Sequence, residues 1–115
     1  MKYLCLVYPG EDLVPRPEDG PDFAAVQRAM TEAGVYLDSG ALQPSSATTT
    51  VMLRDGDTLL TEGPFAEIKE QVGGYFLLDC ADLDEAVKWA TAIPTVSKRG
   101  ASIEIRPLIE FGAGR

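Results

Sequence analysis

The chain has 115 residues, 45% hydrophobic and 24% charged, with a formal net charge of -8 and no histidine. That size and mixture describe one ordinary globular domain with a single core, residues 1–115. An acidic balance without a basic cluster argues against a nucleic-acid partner, which would need Lys and Arg to displace counterions. Lack of histidine removes the Ser-His-Asp triad, the His-ligated metal site and the imidazole base.

No run approaches the roughly 20 apolar residues of a membrane span, and the apolar stretch in MKYLCLVYPG is too short for a secretory signal. A cytoplasmic protein without a membrane partner is expected. Cys5 and Cys80 each sit in a strand-like apolar run with no CxxC spacing, which predicts buried, reduced thiols.

KYLCLVY (2–8) reads as a strand stopped by Pro9-Gly10. Tyr3, Cys5 and Val7 share one face, and Leu4, Leu6 and Tyr8 share the other. Both faces are apolar, so both need cover. After a Pro-rich loop, Asp22 offers an N-cap. Phe23, Val26, Met30 and Ala33 then recur at helical spacing, and Gly34 closes the helix. Ser39-Gly40 and Pro44 punctuate the return. The tract ATTTVMLRDGDTLLTEG predicts a hairpin turning at Asp55-Gly56.

GYFLLDC (74–80) is a second strand apolar on both faces. In ADLDEAVKWATAIP, Asp82 and Glu85 form a capping-box pattern, while Leu83, Ala86, Val87, Ala90 and Ile93 form the apolar stripe; Pro94 ends the helix. In the last strand, ASIEIRPL, Ile103 and Ile105 share one face and Glu104 and Arg106 the other.

Strand, helix, hairpin, strand, helix, strand is an α+β order. It matches a ferredoxin-like βαββαβ arrangement with one extra hairpin strand, both helices on one face of an antiparallel sheet. The opposite face, apolar but marked by Glu104 and Arg106, is expected to be a dimer surface, a ligand wall, or both.

MKYLCLVY, SGALQP, the ATTTV tract, TEGPFAEIKEQVGGYFLLDCADLDEAVKWA and SIEIRP together resemble the YCII-related proteins of the DGPF-domain group. The resemblance spans nearly the whole chain and implies a dimeric α+β barrel, hence a homodimer. It implies a bacterial protein of a largely uncharacterised family, sometimes encoded near extracytoplasmic-function sigma factors. Glu62 stands where the family motif has aspartate, and Ile68 where it has threonine. The His-Asp pair proposed for better-known YCII-like proteins has no counterpart here.

The expected cleft lies between the sheet and residues 62–70. Glu62 and Glu70 are the candidate acid and base; Phe65, Lys69, Glu104, Arg106 and Tyr3 are the candidate ligand contacts. A guanidinium on an apolar face must find an anion, which is either a ligand or a carboxylate of the same protein. The reading includes no cofactor. Glu62, Glu67 and Glu70 are near in sequence but lack calcium-loop spacing, so no metal is assigned. Three roles stay open: a cofactor-independent enzyme acting on a small molecule, a non-catalytic ligand-binding or regulatory accessory domain, and a structural dimer module.

Overall fold

A computed structural model of the chain describes residues 1–9, 19–63 and 71–111. Strand β1 (Lys2–Tyr8) leads to helix α1 (Gly20–Glu32) and strand β2 (Tyr36–Ala41). A hairpin follows, β3 (Thr49–Arg54) and β4 (Asp57–Glu62), and then β5 (Gly74–Asp79). Helices α2 (Leu83–Ala92) and α3 (Pro94–Arg99) precede β6 (Ser102–Pro107).

Four strands form one sheet in the order β2-β5-β1-β6, and every neighbouring pair is antiparallel. Each helical connection therefore skips over one strand, which is the split βαβ pattern of a ferredoxin-like fold. Alternation along β1 decides where the core lies. Tyr3, Cys5 and Val7 are buried, and pack with Phe76 and Leu78 of β5 against Val26 and Met30 of α1 and Ala86 and Ile93 of the second helical segment. Lys2, Leu4, Leu6 and Tyr8 face the other way and are only half-buried. As anticipated from the pattern, Ile103 and Ile105 pack against the core while Glu104 and Arg106 are exposed.

Several local expectations need correcting. The N-cap position of the first helix is held by Asp19, not Asp22, and without a side-chain capping bond; Pro21 suits the first helical turn, where its missing N–H costs nothing. Asp22 instead sits inside that turn and accepts a 2.8 Å bond from Lys98. Ala33, expected in the apolar stripe, is exposed, while Gly34 closes the helix with φ 77° as expected. In α2 the capping box forms, with Asp82 Oδ1 accepting from the Glu85 N–H at 2.9 Å and Glu85 Oε1 accepting from the Ala81 N–H at 2.8 Å. Its buried line is only Ala86, Ala90 and Ile93; Leu83 and Val87 are exposed. Pro94 ends α2 but also opens α3, which was not anticipated and from which Val96 packs against the core.

The larger correction concerns the hairpin. Asp55 and Gly56 have φ of 50° and 83°, the doubly left-handed turn that suits the twist of a two-residue hairpin. Yet among the described residues β3 and β4 pair only with each other, as a separate two-stranded sheet. The fourth strand of the main sheet is β2, whose sequence YLDSGA reads locally as a turn. Pairing with β5 makes it a strand.

Candidate functional site

The face of the main sheet turned away from the helices is open among the described residues. Register assigns its side chains row by row, since directly paired residues share a face. One row runs Asp38, Leu77, Leu4, Arg106 from the β2 edge to the β6 edge. The adjacent row runs Gly40, Tyr75, Leu6, Glu104. Three inter-strand steps of about 4.8 Å set Asp38 and Arg106 roughly 14 Å apart at their backbones. The floor between them is leucine, half-buried rather than buried.

At the β2 side the floor acquires a built polar corner. The Tyr75 ring lies against Gly40, where an added Cβ would come within 2.9 Å of its Cε1 atom. That close approach lets the Tyr75 hydroxyl donate to Asp38 Oδ2 at 3.0 Å. The other carboxylate oxygen, Oδ1, accepts from the Ser39 N–H at 2.9 Å. The hydrogen bond to Asp38 raises the Tyr75 phenol above its ordinary 10.0, and desolvation adds to it. Near neutral pH the phenol therefore remains a proton donor, and the carboxylate beside it is oriented from both sides.

Of the anticipated site residues, Glu104 and Arg106 lie on this face in adjacent rows of β6. They do not pair with each other, and no ion pair of either is seen among the described residues. Tyr3 is on the opposite face, 2% exposed, its hydroxyl donating to Met1 Sδ at 3.6 Å. Period-two alternation separates it from Arg106, so Tyr3 is a core residue and not part of this group. Burial chiefly raises its phenol, with Asp82 and Cys80 adding. Glu62 ends β4 opposite Thr49, exposed on the hairpin rather than on the sheet. Phe65, Lys69 and Glu70 lie outside the described residues, as does Glu67. Among the described residues no three His, Cys, Asp or Glu side chains form a metal-holding group.

Asp38 was not among the anticipated residues. Alternation in YLDSGA would not have placed it, because the register shifts between Tyr36 and Asp38, so that Tyr36 packs against the core while Asp38 lies on the open face. Nothing local identifies the partner of Asp38, which is 37 residues away in sequence.

Residues 1–112 match the family model of the YCII-related domain. The chain belongs to the YCII-related domain family. It is also similar to "Uncharacterized protein R00369" of Rhizobium meliloti (strain 1021), 41% identical over 93 residues that cover 81% of this chain and 75% of that protein. The YCII-related match thus spans both the sheet and the hairpin. No helix among the described residues is long and apolar enough to cross a membrane.

Proposed function

We propose that this YCII-related protein binds a small organic molecule on the open sheet face, as a homodimer in which a second copy helps to cover that face. The observation that carries the reading is the row Asp38, Leu77, Leu4, Arg106, which sets an oriented carboxylate and a guanidinium without an ion partner among the described residues at opposite ends of an apolar floor. A molecule with an apolar body fits the leucines. One anionic group fits Arg106, and a hydroxyl fits the Asp38–Tyr75 corner. The net charge of -8 favours a neutral or singly charged ligand over a polyanion.

A catalytic role is the second reading, favoured by the Asp38–Tyr75 pair: a carboxylate able to accept a proton beside a phenol able to donate one. Glu62, at the end of β4, and Glu70 remain acid–base candidates. An accessory regulatory role uses the same surface without turnover.

The test is titration with 4-hydroxybenzoate, an apolar ring carrying one carboxylate and one hydroxyl, followed by NMR. Saturable shifts at the Leu4 and Leu77 methyl groups and the Tyr75 ring are expected, weakened at least about tenfold by Arg106→Ala, as loss of a charged hydrogen bond implies. Shifts confined to the helix face, or unchanged binding in Arg106→Ala, would discard the proposal.

A further inference from the structure

Among the described residues the β3–β4 hairpin is an arm without a body to rest on. Its strands pack extensively only on each other. Register puts Val51, Leu53 and Leu60 on one of its faces, at 63%, 72% and 69% exposure. Two strands alone are marginal in water, and three large apolar side chains on one open face add to the difficulty. The molecule is correspondingly spread out. Its radius of gyration is 16.1 Å, where a compact chain of this length has about 13 Å.

Among the described residues two apolar surfaces are thus left without cover, the arm and the open sheet face, and neither covers the other. A second copy supplies both missing covers at once. The sheet face also matches itself in charge. Asp38 at the β2 edge and Arg106 at the β6 edge share one row, so a two-fold axis parallel to the strands makes unlike charges of the two faces look at each other across the ligand space at both edges, and leaves each free for the ligand. The arm leaves the sheet at the Ala41–Gly74 end, and Tyr8 and Ser102 lie at that same end. The same axis brings the β2 side of one protomer beside the β6 side of its partner.

The geometry points to arm exchange: the β3–β4 arm of each protomer lays Val51, Leu53 and Leu60 over its partner's open face at the Tyr8–Glu104 end. Each ligand cleft is then composite, with a floor from one chain and a wall from the other. This rests on the open face being the ligand surface proposed above, and adds that the site is incomplete in a single chain.

Leu53→Asp with Leu60→Asp tests it, because both side chains are exposed in the single chain and their replacement leaves its core untouched. Sedimentation velocity is expected to show a wild-type dimer, with the dissociation constant raised about 100-fold or more in the double variant. Circular dichroism of the variant should be unchanged, and 4-hydroxybenzoate binding should weaken along with dimerisation. Mixing Val51→Cys chains with Glu104→Cys chains should give disulfide-linked pairs. A wild-type monomer overturns the inference. A dimer indifferent to the arm variant but broken by Leu6→Asp also overturns it, while leaving the open-face site standing. A disulfide that closes within one chain of a Val51→Cys, Glu104→Cys double variant places the arm on its own sheet and has the same effect.

Discussion

Tyr75 and Asp38 define what single residues contribute to the candidate site. Because a hydrogen bond to Asp38 is the main cause of the raised Tyr75 phenol, Asp38→Asn should bring its ultraviolet titration midpoint back toward 10.0. A midpoint unmoved by the substitution would mean that desolvation, not the carboxylate, governs the phenol. Burial pushes the Cys5 and Cys80 thiols up to about 11, with Cys80 also raised by Glu85. Their folded values lie above the ordinary 9.0, so the stability they contribute is complete below about pH 9 and is lost as pH rises through about 11. Denaturant melts across that window should show a declining unfolding free energy, and Cys5→Ala with Cys80→Ala should flatten the decline. Thiol labelling at pH 8 should be slow in the native protein and rapid after unfolding.

Among the elements, α2 and the β2–β5 pair respond to different forces. The capping box of α2 is a local device, and Asp82→Ala should cost about 1 kcal/mol in chemical denaturation by leaving the Glu85 N–H without its acceptor. At the β2–β5 contact the constraint is non-local. A Cβ on Gly74 would stand 2.9 Å from the Gly40 carbonyl oxygen, a backbone atom that can yield only by shifting the strand. Gly74→Ala should therefore destabilise by about 1–3 kcal/mol, the usual range for overpacking. An unchanged denaturation midpoint would show that the two strands separate easily. These two elements also show what a sequence discloses. The box is legible in ADLDE because both partners lie within one helical turn. β2 is not legible in YLDSGA, because Ser39 and Gly40 carry turn propensity and only the β5 ladder overrides it.

At the scale of the whole molecule the balance lies between a conventional two-layer core and an arm that extends beyond it. If the arm and the open face are covered by a second copy, folding and association are linked, and the melting temperature should rise with protein concentration. A melting temperature independent of concentration, measured across a wide dilution series, would assign all the stability to the single chain. Calorimetry of the Leu53→Asp, Leu60→Asp variant should in turn show a loss of that concentration dependence.

By itself the sequence determined what depends on near neighbours: two helices, a hairpin turning at Asp55-Gly56, and a final strand with isoleucines inward and Glu104 and Arg106 outward. Those follow from backbone conformational preference and from the period of side-chain alternation, each expressed within a few residues. Only the tertiary structure decided that YLDSGA is the fourth strand, that the hairpin stands outside the sheet, that Tyr3 is hidden under the helices, and that Tyr75 holds Asp38. Each of these depends on which strands lie side by side and in what register. Hydrogen bonding and burial between distant segments settle such pairings, and no short window of sequence contains both partners.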